Sequence, residues 1–329
     1  MADRRTALRL GVFVALAGML ASGTAAAQGH GIWRHGIIKA KSDAGILMMA
    51  TQGFAQKQGL DLKLLQFRND VIEIQAMLSG EIDSYDGSAG AAITAAARGA
   101  DVKVLGCQWP GVPYDIFVRP NIKTIEDLKG KTLAISSPGA SPDIVAHAVL
   151  AKYHVPASEV KFANLGGDLD RFKAVVAGVA DATVVSDEYE PIAGKEGVKV
   201  LLHTNDVVPE YMRICIFTTG ATLAKRADDA AHFLAAEMQA LHYALGHRDA
   251  VIKLTHAIIH DKPDDPRPGF IFDDAVKKKA IDPDLSLPVA KLRWMEERLV
   301  ASHVLPHPYD VTKMIAPGPR EAALKLIAK

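Results

Sequence analysis

The chain has 329 residues, with 38 lysines and arginines against 38 aspartates and glutamates. That balance, with no basic stripe, excludes an ordinary nucleic-acid binder. The length suits two domains better than one. Past residue 27 no apolar run reaches the ~20 residues that a membrane-spanning helix needs, so the mature protein is expected to be soluble.

The first 27 residues read as a secretory signal peptide. Arg4 and Arg5 give a positive start, Leu8 to Leu20 is apolar apart from Arg9 and glycines, and Ala25-Ala26-Ala27 offers a small-residue cleavage site. The mature chain is therefore predicted to begin at Gln28, in an oxidising compartment outside the cytoplasm. Without a cysteine at the cleavage point, no lipid anchor is expected. Arg4-Arg5 leaves Sec and twin-arginine export both open.

A strand is expected at Ile32 to Ile38 and a polar turn at Lys41-Ser42-Asp43. One helix should run from about Ala44 to Gln58, with Leu47, Ala50, Phe54 and Ala55 on one face and Gly59 as its stop. Leu60 to Phe67 alternates as a strand. Asn69 or Asp70 caps a helix that turns Val71, Ile74 and Leu78 inward and ends at Gly80.

A unit begins there that recurs about a hundred residues later. Gly80-Glu-Ile-Asp83 leads through Tyr85-Asp86-Gly87-Ser88 to Gly99 and then Val102 to Leu105. Gly178-Val-Ala-Asp181 leads through Val185-Ser186-Asp187-Glu188 to Gly197 and then Val198 to Leu201. Each reads as strand, polar turn, helix, a glycine able to take positive φ, and strand. Ligands of open parallel sheets sit beyond the carboxyl ends of strands, so two such units suggest a small molecule held between similar halves.

Between the two units, Pro110 and Pro113 mark an exit, and Tyr114 to Val118 is an extended run ended by Pro120. Thr132 to Ile135 is a buried strand followed by the turn Ser136-Ser137-Pro138-Gly139-Ala140. Ser141-Pro142 opens a helix, with the serine expected at the N-cap. Val160 to Ala163 is a strand, and Asp168 starts a helix with Leu169, Phe172 and Val176 inward. Arg213 to Thr219 reads as a return strand. Helices are expected at Asp228 to Leu245, Asp249 to Ile259 and Leu287 to Ser302, with a proline-rich loop at Asp261 to Gly269.

The run Ile122 to Lys131 (IKTIEDLKGK), with a strand and a serine/glycine turn after it, resembles the second-lobe opening of periplasmic substrate-binding proteins of ABC importers. The similar branch serves nitrate, alkanesulfonates, taurine and pyrimidine precursors of thiamine. Gly80 to Asp83, Ala95 to Val104 and Ala177 to Ala182 agree with it. The resemblance covers nearly all of the mature chain. It implies a type II two-lobed α/β fold with two crossing hinge strands, carboxy-terminal helices on the first lobe and a ligand cleft between the lobes. The expected division is signal peptide 1–27, first lobe 28–113, second lobe 114–212, and a return to the first lobe over 213–329. The implied function is capture of a small organic solute, sulfonate, taurine-like or amino-pyrimidine-like. The implied partner is an inner-membrane ABC permease with its ATPase, served by a monomer without cofactor or catalysis. A pyrimidine-synthase-like enzyme and a periplasmic ligand sensor stay open as alternatives.

The expected ligand residues are Lys41, Ser42, Asp43, Asp86, Gly87, Ser88, Trp109, Tyr114, Ser136, Ser137, Ser141, Asp187 and Tyr189. Helix starts at these turns offer free N–H groups to a polarised or negative atom. Yet Asp43, Asp86, Asp115, Asp187 and Glu188 crowd the same turns, against Lys41 alone as a cation. That favours an amine-bearing or zwitterionic solute over a bare oxyanion. Trp109, Tyr114, Tyr85 and Tyr189 could present flat faces to a ring, with core packing the plainer role for Tyr85. The histidine pairs His256/His260 and His303/His307 lack a third ligand, so no metal site is expected. Cys107 and Cys215 would be able to form a disulfide in an oxidising compartment, but their apolar flanks favour two buried thiols.

Overall fold

The computed structural model describes residues 31–38, 44–67, 69–136, 138–259 and 262–328. The expected signal segment, the turn Lys41-Ser42-Asp43, Ser137 and His260 lie outside the described residues. No helix among those described is long and apolar enough to cross a membrane.

The strands are β1 (Ile32–Ile38), β2 (Asp61–Phe67), β3 (Ser84–Ser88), β4 (Lys103–Trp109), β5 (Tyr114–Val118), β6 (Thr132–Ile135), β7 (Lys161–Asn164), β8 (Ala182–Ser186), β9 (Lys199–His203) and β10 (Ile214–Thr218). They form two five-stranded sheets, ordered β2-β1-β3-β10-β4 and β7-β6-β8-β5-β9. The two orders match position for position. In each, the two strands of a repeated unit flank one antiparallel strand that arrives from the other half. β5 follows β4 and inserts between β8 and β9, while β10 follows β9 and inserts between β3 and β4. The recurrence in the sequence is thus one part of a topology common to both sheets, each of which is completed by a strand from the other half. The chain passes between the two sheets at residues 110–113 and 204–213.

Among the described residues twelve α-helices cover the sheets: α1 (Ala44–Thr51), α2 (Phe54–Lys57), α3 (Asp70–Ser79), α4 (Ala89–Ala97), α5 (Ser141–Lys152), α6 (Asp168–Val176), α7 (Glu190–Ala193), α8 (Gly220–Gly246), α9 (Arg248–Ile259), α10 (Arg267–Lys277), α11 (Val289–Ala301) and α12 (Pro317–Ile327). The glycines of the recurring units behave as their spacing requires. Gly80 and Gly178 have φ of 78° and 72°, a backbone region where a Cβ is strained.

Several local expectations need correction. The single helix expected from Ala44 to Gln58 is broken into α1 and α2 at Gly53, whose φ is 73°. On α3 the inward residues are Glu73, Ile74, Ala76 and Met77, whereas Val71 and Leu78 are exposed. On α6, Arg171, Phe172 and Val175 point inward and Leu169 and Val176 outward. In both helices the buried stripe is turned from the expected one because a polar residue, Glu73 or Arg171, shares it. The cap of α5 is Ala140, so Ser141 is already inside the helix; the Asp143 carboxylate accepts from Gly139 N–H at 2.7 Å. The proline-rich stretch expected as a loop runs into α10, with Pro266 and Pro268 at its start, where a proline lacks no needed N–H. α12 opens likewise on Pro317 and Pro319.

Cys107 and Cys215 are joined in a disulfide, which overturns the expectation of two thiols. The register explains it: β10 lies beside β4 with Cys215 directly opposite Cys107. Of the carboxy-terminal helices, α8 packs on α1, α2 and α12, and α12 packs on β4, all in the first lobe. α10 also touches the turn at 187–189, and α11 touches both α4 and α5. These two helices therefore bridge the lobes.

Candidate functional site

β4 ends on Trp109, and the chain leaves the first lobe through Pro110-Gly111-Val112-Pro113. β8 ends on Ser186, which caps the turn holding Asp187, Glu188 and Tyr189. α10 brings Asp274, its C-cap brings Lys278, and the second crossing brings Asn205. Together these line a polar cavity of about 430 Å³, counting its mouth open to solvent. Trp109 and Asp187, both expected from the sequence, meet here. A second, apolar cavity lies next to it, sharing Trp109, Ile271 and Ala275 and walled by α8, α9 and α10.

Asp187 is the distinctive group. It is 7% exposed, and no hydrogen bond to its carboxylate is present among the described residues. The neighbouring Asp274 is already paired with Lys278 at 2.7 Å. Burial, with Asp274 adding to it, pushes the Asp187 carboxyl up to about 6, against the pull of Lys278 and Arg213. Among the described residues this buried carboxylate lacks the hydrogen-bond donor that burial demands.

This shift has a sign that can be measured. The folded carboxyl keeps its proton to higher pH than the unfolded one, near 3.9. Its stabilising contribution is therefore complete below about pH 4 and lost as pH rises through about 6. The loss is at most about 3 kcal/mol, at about 1.4 kcal/mol per pH unit of displacement. Asp187→Asn cannot ionise, so it should match the ligand-free wild type near pH 4 and exceed it at pH 7.5. Thermal unfolding at the two pH values checks this, and an equal difference at both would point to another cause.

A second group of residues lines the junction of the lobes. The Tyr114 hydroxyl is pushed up to about 12 by burial and by Asp168, with Arg213 and Arg171 opposing and Asp70 adding to the rise. Asp168 and Arg171 come from α6, Asp70 from α3 and Arg213 from the second crossing, so Tyr114 stands where both halves meet. The Arg213 guanidinium lies over the Trp109 ring at 4.4 Å. Tyr211, fully buried, lies beside Ser141. The Ser136 hydroxyl is buried with no hydrogen bond among the described residues.

Other expected site residues serve the core. Asp86 accepts from Gln108 Nε2 at 2.7 Å and lies 3.4 Å from His35 Nε2, inside the first lobe. His35 in turn meets Ser84 at 2.7 Å, and Trp33 donates to the same hydroxyl. A Cβ on Gly87 would meet the Tyr85 ring at 2.5 Å, so this position is packed against protein. Ser88 caps α4 and donates its N–H to Asp70 at 2.8 Å. Tyr189 is fully buried and stacks on Phe172. Tyr85 stacks on Phe217, in the packing role foreseen for it.

Sequence reasoning missed Arg213, Asp70, Tyr211, Asn205 and Lys278. Arg213 had a signal, since it stands just before β10 as Pro113 stands just before β5. Lys278 and Asp274 are spaced i, i+4, but only the recognition of α10 would have made that spacing meaningful.

The family model described as NMT1/THI5 like matches residues 41–251. In fold the chain is similar to the periplasmic aliphatic sulphonate binding protein SsuA from Escherichia coli, with TM-score 0.75 at 20% identity, covering 87% of this chain and 92% of that one. It is also similar to the alkanesulfonate-binding protein SsuA from Xanthomonas axonopodis pv. citri bound to MOPS, with TM-score 0.72 at 17% identity, covering 87% and 98%. The periplasmic nitrate-binding protein NrtA from Synechocystis PCC 6803 gives TM-score 0.72 at 14% identity, covering 91% and 89%. At these identities the likeness is one of fold, the two-lobed periplasmic binding protein architecture. With its family model matched over residues 41–251, the chain belongs to the NMT1/THI5-like family.

Proposed function

We propose that this chain is the extracytoplasmic solute-binding component of an ABC import system. Its solute is a small organic molecule that presents an ammonium or N–H edge to Asp187. The observation that carries the ligand class is the buried Asp187 carboxylate, which faces an interlobe cavity beside Trp109 and accepts no hydrogen bond among the described residues. A bare oxyanion would be repelled there. The Arg213 guanidinium, 4.4 Å from the centre of the Trp109 ring, adds a cation suited to an anionic end of the solute. A zwitterion of the aminosulfonate kind or an amino-pyrimidine fits both charges. The enzyme alternative, which relies on cysteine ligands, finds both cysteines of the chain consumed in the disulfide.

The test is a thermal-shift screen of sulfonates, aminosulfonates, aminopyrimidines and amino acids, followed by calorimetric titration of the best hit. Asp187→Ala and Asp187→Asn should each weaken that hit by roughly 5- to 150-fold, the effect of removing a partner worth about 1–3 kcal/mol. Neither should gain affinity for nitrate or sulfate. Wild-type affinity in Asp187→Asn would overturn the amine-bearing assignment.

A further inference from the structure

A second cluster of chemistry-bearing side chains lies on the second lobe, at the outer edge of its sheet. Asp115 on β5 is paired across the ladder with His203, the last residue of β9. The Asp115 side chain is 2% exposed and that of His203 44%. His203 Nδ1 is 3.2 Å from both carboxylate oxygens of Asp115. Glu190, the first residue of α7, turns to the same point. Ligand atoms of Asp115, Glu190 and His203 all lie within 4.8 Å of one another.

We propose that Asp115, Glu190 and His203 form a binding site for a divalent transition-metal ion of the zinc type. The site would take one imidazole nitrogen and two carboxylates, with water in the remaining position. The donor set decides the class of ion. Calcium and magnesium prefer all-oxygen shells, whereas a histidine with carboxylates suits zinc and its neighbours. Three separate elements fix the three side chains, two of them adjacent strands, so the donors are preorganised.

The charge balance supports the same reading. Asp187, buried and without a hydrogen bond to its carboxylate among the described residues, acts on Asp115, and so does Glu190. Two carboxylates and one imidazole thus converge on a point where the Asp115 side chain is only 2% exposed. The Asp115–His203 hydrogen bond accounts for two of the groups but not for the approach of Glu190, which adds a second carboxylate. A dication relieves all three. The half-exposed His203 leaves a path from solvent to the ion. This proposal does not rest on the solute reading, since Asp187 enters it only through its charge.

The experiment uses the mature chain, stripped with a chelator and titrated with Zn²⁺ by calorimetry at pH 7.5. Co²⁺ titration gives a visible-absorption signature of the coordinated ion. One Zn²⁺ per chain is expected, with His203→Ala and Glu190→Gln each weakening it by about tenfold or more and bleaching the Co²⁺ bands. The factor is set by the 10- to 100-fold cost of losing even an outer-shell partner. Both positions are away from the fully buried core, and circular dichroism confirms folding. His242→Ala is the control for adventitious surface binding, since His242 and Asp284 form an exposed pair at 2.9 Å. Wild-type affinity in either site variant overturns the proposal, as does a wild type that takes up no Zn²⁺ at micromolar concentration. Equal weakening by His242→Ala overturns it as well.

Discussion

Phe172→Ala is expected to lower the stability of the ligand-free protein by about 3–5 kcal/mol, the usual cost of emptying a buried aromatic site. Phe172 is 3% exposed on α6. Its ring stacks on Tyr189 at 4.7 Å and meets Phe117 edge-on at 5.7 Å. Around this triplet pack Ala134, Val175, Val185, Ala193 and Val198, which together form the core between α6, α7 and the second sheet. Truncation removes the middle ring and strands the other two. Because the backbone of β5 and β8 is held by its ladder, the space cannot collapse fully, which places the cost near the upper end of the range. Urea unfolding followed by far-UV circular dichroism measures the loss. A change below about 1 kcal/mol would mean that this cluster is not a core. Below the unfolding transition the variant should keep its solute affinity, which separates it from Asp187→Ala.

What could be read from the sequence follows from which signals are local. The recurring units declared themselves through glycines after helix ends, a backbone requirement confined to a few residues. The insertion of β5 and β10 into each other's sheets has no such local signature, and only the direction reversal at Pro110–Pro113 and again near Pro209 hints at it. The faces of α3 and α6 were misjudged because apolar spacing alone was weighed. Glu73 and Arg171 are buried charged residues, and Arg171 earns its place inside by bonding the carbonyls of Val184 and Gly166 and the Asp168 carboxylate. A pattern that sorts residues only into apolar and polar cannot anticipate that. For the candidate site, Trp109 and Asp187 were legible as strand-end residues. Asp86 was not separable from Asp187 at that level, although Asp86 lies within β3 and Asp187 in the turn that follows β8. Asp86 is drawn into a core network with Gln108 and His35, while Asp187 faces a cavity, and that difference lives in tertiary contacts.

Removing the Cys107–Cys215 bond is expected to cost about 2–5 kcal/mol, which is comparable to losing the Phe172 ring. The two cysteines are 108 residues apart, so the bond closes a loop that contains β5 to β9 and thus the whole second sheet. In the unfolded chain such a cross-link removes loop-closure freedom worth about 4.7 kcal/mol by chain-entropy reasoning, and native disulfides deliver about 2–5 in practice. The location sharpens the argument. β10 is the last strand to enter the first sheet, and it must find its slot between β3 and β4 after the second lobe has intervened. A covalent tie from β10 to β4 offsets the entropy of that long-range closure. The double variant Cys107→Ala/Cys215→Ala deletes the tie while leaving two small apolar side chains in positions that are 1% and 0% exposed. Its urea midpoint should fall, with little change in the folded-state circular dichroism. Thiol titration of oxidised wild type in denaturant should find no free thiol. Two reactive thiols in that titration, or a double variant as stable as wild type, would restore the picture of two buried, unbonded cysteines.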